Sequence, residues 1–142
     1  MGKIRIYFEE VSKHALPKRK MRDFIFDILA MENSNCGTIN FIFCNDSYLL
    51  KINNEFLNHD FYTDIITFDY SENKIISGDL FLSLDRIKEN AILYKISLME
   101  EILRVMVHGI LHMVGYNDKT RNERKMMKEK ENFYLEKWKI KL

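Results

Sequence analysis

The alternation of hydrophobic and polar residues predicts four β-strands in this chain. Residues 3–8 place Ile and Phe at every second position, which is typical of a strand with one buried face. Residues 38–44 form a β-branched and aromatic run, as in a buried strand. Residues 63–70 and 75–84 are two further candidates, and only four polar residues separate them. Such a short connection favours an antiparallel hairpin.

Helical spacing predicts the remaining elements. Pro17 suits a helix N-terminus and precedes apolar residues at helical intervals up to Leu29. A short second helix follows Asp46 or Ser47, either of which can cap it. Residues 85–95 fit a third helix.

Two capping boxes begin the last two helices. Ser97 and Glu100 begin a helix that is apolar nearly all round, which predicts that it is the central buried helix, and Gly115 is well placed to end it. Thr120 and Glu123 begin a basic helix that runs to about Lys141.

The order of these elements, βαβαββααα, predicts an α+β fold. We expect a mixed sheet of about four strands, including one antiparallel hairpin, covered by helices. The sequence contains no repeat, linker or low-complexity segment, so residues 1–142 are interpreted as a single domain.

Composition narrows the class of protein. The chain has 142 residues, 46% of them hydrophobic and 30% charged, which excludes wholesale disorder. No apolar run is long enough to span a membrane, and residues 1–6 resemble neither a signal peptide nor a good myristoylation signal. Cys36 and Cys44 do not form a disulfide scaffold or a Cys-x-x-Cys site. We therefore expect a cytoplasmic protein with reduced thiols.

The near-neutral net charge of +1 hides an uneven distribution. Residues 119–142 hold nine lysines and arginines against four glutamates. A second basic cluster precedes the first acid of the first helix and consists of Lys13, Lys18, Arg19, Lys20 and Arg22. Either cluster can follow a phosphate backbone, or can be an ordinary solvated helix face.

The segment His108-Gly-Ile-Leu-His112 carries the strongest chemical signal. Its two histidines are four residues apart, so their imidazoles project from one face of the central helix. Gly115 ends that helix, and the chain can then turn back to place Asp118 beside both rings. Two imidazole nitrogens and one carboxylate oxygen leave the fourth zinc position open, as in catalytic zinc sites. The alternative is a pair of hydrogen-bonded core histidines.

This spacing is similar to that of the metzincin proteases, H-E-x-x-H-x-x-G-x-x-H. Gly109 stands where those enzymes carry the glutamate that serves as general base. Because glycine cannot accept a proton from water, the sequence argues against peptide hydrolysis by that mechanism.

With glycine at that position, the segment resembles the YbeY family of metal-dependent endoribonucleases, whose pattern is H-G-x-x-H-x-x-G-Y-D-H. A second family stretch, L-N-x-x-Y-R-x-x-D-x-x-T-D-V-L-S-F, is matched from Ile52 to Phe68 and includes Asp60 and Asp64. Gly78-Asp-Leu80 is similar to the Gly-Asp-Ile of the next family strand. The resemblance therefore spans residues 52–118, with motifs in three places.

The resemblance implies one Zn²⁺ per chain, with His108, His112 and Asp118 as ligands. It implies a zinc-dependent, single-strand-specific endoribonuclease that acts in rRNA processing, at the 3′ end of 16S rRNA, and in ribosome quality control. Its partners would be RNA and the small ribosomal subunit. It also favours the cluster Lys13–Arg22 as an RNA-binding surface.

Three residues depart from the family pattern. Asp118 replaces the third histidine but is an acceptable zinc ligand, and Asn117 replaces an aspartate. Leu57 replaces an arginine thought to contact RNA, and leucine cannot bind a phosphate. These departures keep open the alternative of a metal-containing ribosome-assembly factor that binds RNA without cleaving it; a metalloprotease is a remote third possibility.

Two further pairs of residues have open interpretations. His59 and Asp60 could contact substrate, although the composition around them favours a simple turn. Thr63 and Asp64 could orient groups near the metal ligands or could merely begin a strand.

Overall fold

The computed structural model describes residues 2–12, 15–57 and 63–140. Lys13, His59 and Asp60 lie outside these residues, so the predictions made for them have no structural counterpart here. Within the described part of the chain, no helix is long and apolar enough to cross a membrane.

The described elements follow the predicted order. The strands are β1 (Lys3–Phe8), β2 (Asn35–Cys44), β3 (Ile65–Asp69) and β4 (Ile75–Ser83). The helices are α1 (Lys18–Met31), α2 (Asp46–Leu57), α3 (Leu84–Tyr94), α4 (Leu98–Val114) and α5 (Arg121–Ile140).

The four strands form one mixed sheet in the order β1-β2-β4-β3. β2 pairs in parallel with both β1 and β4, whereas β3 and β4 pair antiparallel. The predicted α+β fold and its hairpin are therefore confirmed.

The sheet separates a large core from a small one. In β2, Ile39, Phe41 and Phe43 face the large core, which α1, α4 and α5 complete. The smaller cluster on the other face contains Cys44 and Leu49 and lies under α2. Cys36 and Cys44 are free thiols, as predicted.

α4 is the central helix of the large core. Contacts between Glu100 and Lys139 and between His108 and Glu131 show that α5 runs antiparallel to it. On α5, Tyr134 and Trp138 are buried, and Trp138 packs edge-on against Phe24 of α1. The same end of the molecule thus brings together α1, the start of α4 and the end of α5.

Candidate metal centre

Both predicted helix signals of α4 are present. The Ser97 hydroxyl accepts a hydrogen bond from the Glu100 backbone N–H at 3.0 Å and caps the N-terminus. At the other end, Gly115 adopts a φ of 118°, a left-handed conformation that favours glycine. The chain therefore turns sharply just after His112 and brings residues 116–118 back towards the helix.

This turn places Asp118 beside the two histidines. The Nε2 atoms of His108 and His112 are 3.1 Å apart. Asp118 Oδ2 is 3.4 Å from His108 Nε2 and 3.2 Å from His112 Nε2. The three side chains are each about one-third exposed, so the cluster is accessible from solvent. The geometry expected from the sequence is therefore present.

These distances fit the coordination of a small metal ion. Tetrahedral zinc with bonds of about 2.0–2.2 Å separates neighbouring ligand atoms by about 3.3 Å. The three atoms converge at close to this spacing and form a group that could hold a metal. Two imidazoles and one carboxylate are donors that zinc accepts, and three protein ligands leave a position for water or substrate.

Glu131 of α5 holds His108 in position, a contact that the sequence analysis missed. Its Oε2 lies 2.7 Å from His108 Nδ1, and its Oε1 lies 3.3 Å from Arg104 Nη1. Because a carboxylate accepts, the histidine donates from Nδ1 and leaves Nε2 directed at the cluster. Burial lowers the pKa of His108, but the hydrogen bond and negative charge of Glu131 and the charge of Asp118 raise it above its ordinary value.

A second unforeseen contact holds the turn that carries Asp118. Tyr116 donates its hydroxyl to Glu32 at 2.8 Å, and Tyr134 donates to the same carboxylate. Lys130 Nζ lies 3.4 Å from Glu32 Oε2. Burial raises the pKa of Glu32, yet the two tyrosines and Lys130 lower it overall, so the group is a carboxylate at neutral pH. Glu32 thus ties the turn to α1 and α5.

Packing against the sheet explains why residue 109 is a glycine. It is buried where α4 crosses the sheet, and a Cβ at this position would meet Leu80 and would lie 2.9 Å from Ile65 Cδ1. Any larger residue at this position would therefore require the ends of these two side chains to shift.

Asp64 precedes β3 and lies near the cluster. Its backbone carbonyl accepts from Ser83 N–H, and its side chain lines a cavity together with His108 and Glu131. Burial raises the pKa of Asp64, although the positive charge of His108 opposes this effect. Both proposed roles of Asp64, a strand start and a neighbour of the ligands, fit this position. Thr63 donates its hydroxyl to the backbone carbonyl of Ile65, at the start of the strand, at 3.4 Å.

The described part of the basic cluster lies away from the histidines. Lys20 Nζ packs 4.1 Å from the centre of the Trp138 ring and lines a hollow with Ser97. Ser97 is eleven residues before His108 along a helix, which corresponds to about 16 Å. RNA binding by Lys18, Arg19, Lys20 and Arg22 stays a prediction, but the structure does not bring them to the cluster. Leu57, the last residue of α2, is 40% exposed.

Comparisons with known proteins agree on one family. Residues 6–139 match the family model described as Endoribonuclease YbeY. A protein of that name from Azobacteroides pseudotrichonymphae is 54% identical over 114 residues, covering 80% of this chain and 82% of its own. Those from Cytophaga hutchinsonii and Karelsulcia muelleri are 46% and 43% identical, each covering 91% of this chain and 92% of its own.

A solved structure shares the fold. The solution structure of a Thermotoga maritima protein superposes with a TM-score of 0.71 at 26% sequence identity. The match covers 96% of this chain and 89% of the other. The arrangement of sheet and helices described above is therefore one that an experimental structure also has.

Proposed function

This chain belongs to the endoribonuclease YbeY family, and we propose that it uses His108, His112 and Asp118 to hold one Zn²⁺ for the cleavage of single-stranded RNA. Members of this family are endoribonucleases, so the chain is a hydrolase that cleaves RNA, of a type that processes rRNA. The finer proposal is that it acts in the cytoplasm on the 3′ end of 16S rRNA, in association with the small ribosomal subunit, and in ribosome quality control.

One observation carries the assignment of the site. Three ligand atoms from a helix and from the turn that follows it converge within 3.1–3.4 Å at an accessible surface. Two imidazole nitrogens and one carboxylate oxygen at this spacing are the donors of a zinc site whose fourth position is open. A zinc ion bound there would supply Lewis acidity towards a phosphodiester oxygen and the attacking water.

The chain's own residues set the conditions for that chemistry. Glu131 fixes the tautomer of His108, and Glu32 holds the turn through Tyr116. Asp118 adds one negative charge, so a divalent ion here has a smaller net charge than at three neutral imidazoles. Gly109 contributes no acid or base.

Leu57, which stands where the family pattern has an arginine, favours an alternative function without RNA cleavage. Leu57 cannot stabilise the charge that develops on a phosphate, whereas the family pattern has an arginine there. A ribosome-assembly factor that binds RNA and metal without cleavage would tolerate this loss. Cleavage and binding therefore have to be measured separately.

The proposal is tested with purified wild-type protein and the Asp118→Ala variant. We expect wild type to retain about one zinc per chain after desalting and to cleave single-stranded RNA in a chelator-sensitive manner, while Asp118→Ala loses most of its zinc and its cleavage. Full zinc content with RNA left intact by the wild type would establish the alternative. Zinc retained by Asp118→Ala would overturn the ligand assignment.

A further inference from the structure

A cavity of about 570 Å³ opens beside the histidine–aspartate cluster. His108 and Asp118 line it together with residues of α3 and α5, the two helices that pack on either side of the chain's central helix α4. Cavities of about 300–1,000 Å³ are the usual size of small-molecule sites. This one can therefore accommodate a nucleotide unit.

Two cations of α5 line the cavity, Arg124 and Lys128. Arg124 and Lys128 are four residues apart on one helix face, and both are exposed. Arg124 donates to the backbone carbonyl of Lys119 at 2.6 Å, and neither side chain has an ion pair among the residues that the structure describes. Their charges are available to a phosphate group.

Apart from Asp64, the other charged groups of the cavity contact one another. Arg104 lies 3.3 Å from Glu131, which balances its charge, and 3.6 Å from Glu101. Glu131 also contacts His108. Burial raises the pKa of Glu101 to about 7, which leaves this carboxyl largely uncharged in mildly acidic solution. The carboxyl groups of this cavity therefore repel an anion less than their number suggests.

An aromatic ring stands at the α3 side of the same cavity. Tyr94, the last residue of α3, is 57% exposed although it is large and apolar. Asn90, one helical turn earlier, lines the cavity with it and offers an amide. Exposed aromatic rings beside cationic grooves are the usual stacking platforms for unpaired bases.

We propose that this cavity binds the nucleotide adjacent to the cleaved phosphodiester, with its phosphate held by Arg124 and Lys128 and its base stacked on Tyr94. The proposal rests on the proposed function, because it places that nucleotide beside the zinc ligands. It assigns to α5 the phosphate contacts that Leu57 cannot make. A base within a duplex cannot reach the ring, so the site selects single-stranded RNA.

Paired variants of α5 test the phosphate contacts. The double variant Arg124→Ala/Lys128→Ala removes two charges that line the cavity, and Arg121→Ala/Lys125→Ala removes two exposed charges at the same spacing that do not line it. The probe is a fluorescein-labelled twelve-nucleotide single-stranded RNA, and its binding is measured by anisotropy in chelator so that it stays intact.

We expect the cavity variant to bind at least about fivefold more weakly and to lower the slope of log affinity against log salt by about 0.7, since the proposed site neutralises one phosphate and each phosphate neutralised on a single strand contributes about 0.7. The control pair should change affinity less than twofold. Equal losses in the two double variants would overturn the phosphate assignment.

The base contact is tested with Tyr94→Ala and its matched control Tyr94→Phe. Loss of a stacking ring typically weakens binding by about fivefold or more, whereas phenylalanine preserves the ring. On an abasic oligomer of the same length, Tyr94→Ala should bind as the wild type does. An equal loss on normal and abasic oligomers would overturn the stacking role.

These binding tests separate the site from the proposed function. If the wild type binds RNA with these dependences but does not cleave it, the nucleotide site is supported and the proposed cleavage fails. If the wild type cleaves RNA and the two double variants of α5 remain equal to each other in binding, cleavage is supported and the nucleotide site is overturned.

Discussion

Glu131 shows how a single carboxylate can govern the chemistry of a neighbouring histidine. Its contact of 2.7 Å with His108 Nδ1 fixes which imidazole nitrogen is free. Its second oxygen is held by Arg104, so the carboxylate itself cannot rotate freely. A histidine oriented in this way loses less entropy on binding a metal, and its Nε2 becomes more basic.

The variant Glu131→Gln should therefore bind zinc about tenfold more weakly than the wild type. Glutamine keeps the size of the side chain but removes the charge that supports His108. Competition with a chromogenic chelator measures the affinity. Glu129→Gln, an exposed position on the same helix, is the matched control and should bind zinc as the wild type does. Equal affinities in all three proteins would contradict the positioning role.

The cluster of His108, His112 and Asp118 could be predicted from the sequence, but the contact of Glu131 with His108 was not. His108, His112 and Asp118 lie within eleven residues, and helical spacing and a glycine stop define their geometry. Glu131 is 23 residues from His108, and its position depends on how α5 packs on α4. One signal was available, because Glu131 interrupts an apolar stripe at helical spacing between Met127 and Tyr134.

At the scale of elements, the close approach of α4 to the sheet sets the position of the histidines. Gly109 lies between them along the chain, and its missing side chain lets the helix backbone approach Leu80 of β4 and Ile65 of β3. The two histidines, about 60–100° around the helix axis from Gly109, then face the turn and α5. The glycine in the motif is thus a packing residue.

We predict that Gly109→Ala destabilises the protein by about 1–2 kcal/mol. Overpacking a filled core costs about 1–3 kcal/mol, and the better helix propensity of alanine offsets up to about 1 kcal/mol of it. Urea denaturation measures the free energy of unfolding. Lys88→Ala, on an exposed face of α3, should change it by less than about 0.5 kcal/mol. A stabilised Gly109→Ala would contradict the packing account.

The start of a helix could be predicted where a local capping box marks it. The start of a strand could not be predicted where it depends on pairing with a strand distant in the sequence. The capping box at Thr120 and Glu123 forms as predicted, with both hydrogen bonds present. By contrast, α2 is capped by Asn45, whose Oδ1 accepts from Tyr48 N–H, so the prediction of Asp46 or Ser47 as the cap was wrong. β2 begins at Asn35, three residues earlier than predicted, because its N–H donates to Lys74 across the sheet.

At the scale of the whole molecule, Glu32 joins segments that are distant in the sequence. It lies at the end of α1 and accepts from Tyr116 and Tyr134, which are 84 and 102 residues away. Its carboxylate has a pKa below the ordinary value of 4.5 in the folded state, because these donors and Lys130 outweigh the effect of burial. The folded state therefore favours the charged form.

Because folding lowers the pKa of Glu32, the stability of the protein depends on pH. A carboxyl group with a lowered pKa stabilises the fold above its unfolded pKa, and this stabilisation is lost as the pH falls through the folded value. Glu32→Gln should thus cost about 2 kcal/mol at pH 7 and progressively less below about pH 4.5. Thermal unfolding from pH 3 to 8 measures this dependence. Glu55→Gln, an exposed control on α2, should change stability little at any pH in this range. A cost for Glu32→Gln that does not vary with pH would contradict the account.

The distribution of charge along the chain could be predicted from the sequence, but the position of each basic cluster in the folded structure could not. The excess of nine cations over four acids in residues 119–142 was evident, yet only the packing of α5 directs Arg124 and Lys128 to the cavity. The cluster from Lys18 to Arg22 lies instead at the other end of α4, where Lys20 packs on Trp138. Charge counting cannot distinguish these locations, because it carries no information on tertiary contacts.

We propose that the cluster of His108, His112 and Asp118 holds the zinc ion on which RNA cleavage depends. The most direct measurement is cleavage of a labelled single-stranded RNA by chelator-treated protein as zinc is titrated back. The account predicts that cleavage is absent after chelation, returns in proportion to added zinc and saturates at one zinc per chain. RNA cleavage that is unaffected by complete removal of the metal would contradict it.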